Sequence, residues 1–215
     1  MSHEQSNKNL IECLEKIVYS WSLKNKKIII GIDGASGIGK TTIAQNIALK
    51  NNNITHFNLD IFLHPNHNRI EKLRNAKDKF SIYENNWYDL KKILDIANIF
   101  KKTSNKKYKI EYQNSLTKKS KIIHLDFSNN ILLIDGIFLN NTKMFPDVFD
   151  KIIYLSMNKE TLSKRRIIRH QKKYPDVHIK KQMWIIKSFE EGWKQYMKKY
   201  KPHKNSDALI TINVT

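Results

Sequence analysis

Gly34-Ala35-Ser36-Gly37-Ile38-Gly39-Lys40-Thr41 is the stretch that decides the fold of this 215-residue chain. It matches G-x-x-x-x-G-K-[ST] at every position, and each fixed residue has a physical task. The glycines let successive backbone N–H groups turn inward around phosphate oxygens. Lys40 supplies a mobile cation for the β- and γ-phosphates, and the Thr41 hydroxyl is a ligand for Mg2+. These eight residues, with Thr42 behind them, are the expected phosphate-binding set. The flanks agree. Ile28-Ile29-Ile30 is a continuous apolar run of the kind that forms a buried parallel strand. Gly31 to Gly39 then reads as loop. Thr41 to Lys50 puts Ile43, Ala44, Ile47 and Ala48 on one face, so a helix is expected, with the partial positive charge of its N-terminus at the loop. Strand, loop and helix in that order imply binding of a nucleoside triphosphate with Mg2+.

Outward from the loop the alternation continues. Leu10, Ile11, Leu14, Ile17, Val18 and Trp21 stand at helical spacing, predicting an amphipathic helix within residues 1–25 that packs on a domain spanning 26–213. Ile54 to Leu59 reads as a second strand ending at Asp60, and residues 61–85 as polar and irregular. Trp87 to Phe100 resumes a helical pattern through Leu90, Ile93, Leu94 and Ala97. Tyr108–Tyr112 and Lys121–Leu125 are the expected arms of a hairpin around residues 114–120. Ile131 to Ile134 is a buried strand ending at Asp135, and Ile152 to Leu155 another. A basic helix over Lys159–Lys172, mostly helical chain over Pro175–Tyr200 and a last strand over Ala208–Asn213 complete the series. Alternating strands and helices predict an α/β fold of three layers, with a mainly parallel sheet covered by helices on both faces.

Composition narrows the classes. The net charge of +19 invites a nucleic-acid reading, but the lysines are scattered in pairs such as Lys26-Lys27, Lys106-Lys107 and Lys198-Lys199 rather than gathered in a stripe. Nucleic acid is therefore not the expected partner, although such a field draws anionic nucleotides. No apolar run approaches the length of a membrane span, and Met1 to Leu10 is polar where a signal peptide would be apolar. The single cysteine, Cys13, rules out a disulfide framework and fits a reducing compartment, so a cytoplasmic location is expected. Set among Leu10, Ile11, Leu14 and Ile17, Cys13 reads as a small buried hydrophobe. Trp87, Tyr88, Trp184 and Trp193 read as core packing. His64 and His67 form H-x-x-H without a third ligand, so no metal site is expected there.

Asp135 closes the strand Leu132-Leu133-Ile134, where a carboxylate beside the loop can hold Mg2+ directly or through water. The loop alone does not separate kinases from other triphosphate proteins. No N-K-x-D, D-x-x-G or L-S-G-G-Q motif is present, which leaves the layout of a small-molecule kinase.

An ordered set of segments carries a resemblance. Gly31-Ile32-Asp33-Gly34 leading into the loop looks like the opening of the uridine kinase and phosphoribulokinase family. Leu59-Asp60-Ile61-Phe62-Leu63 resembles its D-x-F-Y segment, and Asp135-Gly136-Ile137 its strand ending in E-G-I. Arg165-Arg166-Ile167-Ile168-Arg169 resembles its arginine-bearing lid. Tyr200-Lys201-Pro202 with Ser206-Asp207-Ala208-Leu209-Ile210 resembles its closing segment. The resemblance spans about residues 26 to 213. It implies transfer of the ATP γ-phosphate to a hydroxyl of a small molecule, a nucleoside among the candidates, with an acceptor region at 61–125 and a lid at 160–180. Asp60 would accept or orient the proton of the attacking hydroxyl. Arg165 and Arg169, one helical turn apart, would neutralise charge on the transferring group, whereas Arg166 faces solvent or a salt bridge. His64, just past Asp60, and Tyr112, able to stack on a base, are acceptor-side candidates.

The departures fall on the acceptor side. Leu63 replaces the family's tyrosine, Gln113 its acidic hairpin residue, and His170 the aspartate after the lid arginine. Glu84-Asn85-Asn86-Trp87-Tyr88-Asp89 keeps only the final aromatic and Asp of D-H-P-x-A-[FW]-D. Other acceptors therefore stay open: a sugar phosphate, a pantothenate-like acid or a polynucleotide end. So does a nucleotide-binding regulatory protein without turnover. The position of Asp60 relative to Lys40 and Asp135 discriminates between catalysis and mere binding. Oligomeric state is not readable from these residues.

Overall fold

In the computed structural model, residues 3–23, 26–115 and 117–213 are described. The first half runs α1 (His3–Ser22), β1 (Ile28–Gly34), α2 (Lys40–Lys50), β2 (Ile54–Asn58), a 3-10 turn (Leu59–Phe62), α3 (Asn66–Asn75), α4 (Lys79–Asn86) and α5 (Leu90–Lys102). The second half runs β3 (Tyr108–Gln113), β4 (Ser120–Leu125), β5 (Ile131–Asp135), β6 (Lys151–Met157), α6 (Lys159–Lys173), α7 (Ile179–Tyr200), α8 (Pro202–Asn205) and β7 (Ala208–Ile212).

Five parallel strands form the central sheet in the order β2-β5-β1-β6-β7. The register sets Ile28 beside Ile131, Ile30 beside Leu133 and Ile32 beside Asp135. Side chains alternate across a strand, so these apolar runs feed two cores. Ile28, Ile30, Ile32, Ile131 and Leu133 face α1 and α2, joined there by Leu14, Val18, Ile43 and Ile47. Ile29, Leu132 and Ile134 face the opposite layer, where Phe80, Tyr83, Phe100, Phe138 and Tyr196 pack. Burial on both faces is why the strands read as continuous hydrophobic runs. The chain leaves β1 for β2 on one side and later fills β6 on the other, so the sheet order reverses at β1. Ligands of such sheets bind outside the carboxyl ends of strands at that reversal, which is where Gly34 to Lys40 lies. No described helix is long and apolar enough to cross a membrane.

The three-layer α/β expectation is met, and the hairpin is found as read, with Tyr108 opposite Leu125 and Gln113 opposite Ser120. Three local readings are corrected. The strand before the loop does not stop at Ile30: Gly31 to Gly34 stay in the ladder because β6 pairs with them to Leu155. Residues 61–85 are not irregular. They form the 3-10 turn, α3 and α4, the last capped by the Asp78 carboxylate accepting from Phe80 N at 2.9 Å and held against α7. Cys13 is exposed on α1, while the buried face of that helix is carried by Leu14 and Val18.

Candidate functional site

The loop between β1 and α2 is shaped by sterics that only glycine satisfies. Gly34 has φ +149°, and a Cβ there would lie 2.8 Å from the Leu155 carbonyl oxygen. Gly37 has φ +88°, and its missing side chain leaves room for Arg166, whose Cγ would be 3.2 Å from a Cβ. The Ile38 side chain turns back into the core below α2, as a hydrophobic anchor for the loop. Lys40 is buried, and its ammonium donates to the carbonyls of Gly34 at 2.8 Å and Ala35 at 3.1 Å. Burial lowers the Lys40 pKa, while the fields of Asp135, Asp33 and Asp60 work to keep it charged and Arg169 works against them.

At the foot of α2, Thr41 Oγ1 donates to Asp135 Oδ2 at 2.6 Å. Asp135 has no exposed surface and also accepts from Asn58 Nδ2 at 2.6 Å, while its Oδ1 lies 2.7 Å from His56 Nε2. A hydroxyl and a carboxylate side by side at the end of a phosphate loop are hard oxygen donors, and this donor chemistry suits Mg2+. Behind the loop, buried Asp33 accepts from Asn140 Nδ2 at 3.0 Å and from the Tyr196 hydroxyl, tying α7 to the end of β1.

A cavity of about 690 Å3 opens from Lys40, Thr41 and Asp135 past Asp60 toward α3 and α7. Asp60 is exposed on the 3-10 turn, where its backbone N–H donates to the capping Asn58 Oδ1 at 2.7 Å. Its carboxylate Oδ1 accepts from the Tyr88 hydroxyl at 3.3 Å. Burial, and then the negative charge of Asp60, push the Tyr88 pKa well up, so this hydroxyl stays a donor. Arg69 lines the same cavity, 5% exposed, with its guanidinium 4.5 Å above the Trp87 ring. A second groove of about 530 Å3 runs along Gly37, Gly39 and Thr42 beneath Arg165. The two cavities meet at Lys40, Thr41, Arg169 and Lys173.

The structure therefore brings together Lys40, Thr41, Asp60, Asp135 and Arg169, with Arg165 over the adjoining groove. It does not bring His64 or Tyr112 to the cavity. His64 is held by its backbone, accepting from Arg69 Nε and donating to the Trp87 carbonyl. Tyr112 sits in the hairpin opposite Lys121, and the loop residue Ser115 reaches the cavity instead. Arg166 forms the expected salt bridge, to Glu190 at 3.1 Å, yet it is buried and its Nε also donates to the Ser36 carbonyl at 2.9 Å. Helix α6 and the loop before α2 are thus joined by an arginine that a helical wheel assigns to the outside. Sequence reasoning also missed Arg69, Asn58 and His56. For Arg69 a signal existed: it stands four residues before Leu73, on the one buried stripe of α3.

Residues 29–207 match the Phosphoribulokinase / Uridine kinase family. No curated protein matches the sequence significantly. Among solved structures, one described as a possible uridine kinase from Bacillus stearothermophilus superposes with a TM-score of 0.65 at 17% identity, covering 94% of this chain and 98% of that one. The YGR205w protein gives 0.67 at 13% identity, with 96% and 92% covered. D-glycerate 3-kinase from Cryptococcus neoformans gives 0.65 at 10% identity, with 94% and 96% covered. At these identities the structural likeness speaks for the fold, and the family match over most of the chain speaks for kinship. The chain belongs to the phosphoribulokinase / uridine kinase family and is a P-loop kinase of that type.

Proposed function

We propose that this protein transfers the γ-phosphate of ATP to a hydroxyl of a small molecule bound in the larger cavity. The observation that carries this reading is that Asp60, Lys40 and the Thr41–Asp135 pair line one continuous cavity, joined to the phosphate-loop groove at Lys40 and Arg169. In the proposed step the acceptor oxygen bonds to the γ-phosphorus, the bond to the β-bridging oxygen breaks, and ADP leaves. The hydroxyl proton passes to the Asp60 carboxylate, which Tyr88 orients by its hydrogen bond. Lys40 exchanges its loop carbonyls for the β- and γ-phosphate oxygens. Arg165 and Arg169, from a lid over residues 160–180, stabilise charge as it shifts toward the leaving group. Thr41 and Asp135 would hold Mg2+, which when bound neutralises phosphate charge. The single cysteine supports a reducing compartment, the cytoplasm.

The test is an acceptor screen with γ-labelled ATP over nucleosides, pantothenate, glycerate and pentose phosphates. Acceptor-dependent transfer is expected, falling at least about a hundredfold in Lys40→Ala, as when one strong transition-state donor is removed. Equal transfer by Lys40→Ala would refute the site. ATP binding with no transfer to any acceptor would favour the regulatory reading.

A further inference from the structure

We propose that the acceptor carries an anionic group, a carboxylate or a phosphate monoester, and that the guanidinium of Arg69 receives it. This rests on the kinase reading above and names the class of its acceptor.

The case begins with an imbalance. Two arginines of the cavity wall are almost completely buried, Arg69 at 5% and Arg166 at 8% exposure. Arg166 is neutralised by Glu190 at 3.1 Å. Arg69 has no such partner: among the described residues, no carboxylate forms an ion pair with it. Its Nε donates to the His64 carbonyl at 2.7 Å, and one Nη2 contact reaches Asn66 Oδ1 at 3.5 Å. A guanidinium has five N–H donors, so the Nη1 end and one Nη2 hydrogen are left for the cavity that the residue lines.

Burying a charge without a counter-charge is unfavourable unless something completes it. Burial indeed works against the charged form of Arg69, and the charge of Asp60 works to keep it. Asp60 does not complete the pair, because it is too distant for an ion pair and its Oδ1 is already engaged by Tyr88. The Trp87 ring lies 4.5 Å from the guanidinium carbon and covers it from that side, so a ligand meets the remaining N–H groups. An edge of parallel N–H donors fits the two oxygens of a carboxylate or phosphate. The cavity lining as a whole is net basic, with Lys40, Arg74, Arg169, Lys173 and Lys181 beside Arg69 and the paired Arg166, against Asp60, Glu71 and Asp135. A neutral acceptor would leave the guanidinium buried and unpaired, whereas an anionic one is drawn in and discriminated by it.

Matched pairs test this: ribose against ribose 5-phosphate, glycerol against glycerate, with uridine as a neutral reference. Transfer from labelled ATP is read together with acceptor binding by calorimetry, the latter with a non-hydrolysable ATP analogue bound. In the wild-type protein an anionic member is expected to be favoured at least about tenfold in kcat/KM and in Kd over its neutral partner. The phosphate and carboxylate arms show which anion it is. Arg69→Gln is expected to weaken the anionic acceptor about ten- to a hundredfold, the range for one charge-assisted hydrogen-bonding group. Neutral acceptors should lose clearly less than the anionic ones, and Arg69→Lys should recover part of the anionic loss. Binding of neither anionic probe overturns the proposal, as does equal preference within both pairs or equal weakening of neutral and anionic ligands by Arg69→Gln. If Arg69→Gln does not fold, the wild-type pairs and Arg69→Lys still decide. Arg69-dependent anion binding without any transfer would uphold this inference and sink the kinase reading alone.

Discussion

Replacing Asp60 by Asn removes one charge and disturbs little else, so its consequences can be worked from the structure. The carboxylate is exposed, and among the described residues its side-chain hydrogen-bond partner is the Tyr88 hydroxyl at 3.3 Å. Asn keeps an acceptor oxygen of the same shape, so Tyr88 is not orphaned, and the turn is held by the Asp60 backbone N–H rather than by its side chain. Stability should change by no more than about 0.5 kcal/mol, a shift in Tm of about 2 °C or less in a chain of this size. Among the carboxylates that sustain the Lys40 charge, Asp60 ranks behind Asp135 and Asp33. Losing it leaves the two larger contributors in place. It also removes a negative charge from beside the phosphates, so ATP affinity should be unchanged or slightly tighter. Loss of a general base costs about a hundred- to ten-thousandfold in rate, equivalent to about 3–5 kcal/mol of transition-state stabilisation. The assay is steady-state transfer at saturating ATP and acceptor, with ATP binding by calorimetry and thermal unfolding in parallel. A kcat within threefold of wild type, with folding and ATP affinity intact, would refute the assignment of Asp60 as base.

Two structural predictions bear on the contact between α4 and α7 behind the cavity. A Cβ at Gly192 would lie 2.6 Å from two ring carbons of Tyr83, a ring with 1% exposure packed on Trp87 at 4.4 Å. Overpacking of about 1–3 kcal/mol then exceeds the roughly 1 kcal/mol that alanine gains in a helix interior by up to about 2 kcal/mol, because the ring is held on its other face. Gly192→Ala should therefore lower Tm, by up to about 4–8 °C, and, since Tyr83 lines the cavity, raise the acceptor KM; a higher Tm in a thermal melt would show that α7 gives way freely. At Glu84, burial favours the neutral acid, but hydrogen bonds from Tyr200, Lys143, Lys199 and Asn141 outweigh it and bring the carboxyl down to about 2 from an ordinary 4.5. A depressed folded pKa means stability that is complete above about 4.5 and lost as pH falls toward about 2. Glu84→Gln should be less stable at neutral pH and show a flatter decline across that window; parallel urea midpoints against pH for the two proteins would refute the assignment.

Much of the fold was legible because its elements follow local rules. Ile28–Ile30 and Ile131–Ile134 are buried on both faces, and such strands announce themselves as apolar runs. The hairpin was legible from its two alternating arms. Gly31 to Gly34 were misread because a glycine-bearing segment has no strand propensity of its own; ladder bonds from β6 hold it extended. Residues 61–85 were misread for the complementary reason. Asn-rich α3 and α4 are weak helices in isolation; α4 gains from α7 through Phe80, Tyr83 and Glu84, and α3 in turn packs on α4, which supplies what propensity does not.

The candidate site divides along the same line. Phosphate is met by one contiguous segment, where backbone N–H groups, a lysine and a threonine follow one another from residue 34 to residue 41. A sequence pattern can therefore contain the whole of it. The acceptor wall has no such segment: Asp60 comes from the turn after β2, Arg69 from α3, Tyr83 from α4 and Phe189 from α7. Its chemistry exists only once the sheet has set the ends of those elements around one space. Charge was the most misleading guide, because arginines in a strongly basic chain read as surface residues. Arg69 and Arg166 are instead buried, one paired and one not. That difference is invisible in composition and in helical spacing, because it depends on which carboxylate the fold brings within reach of each guanidinium.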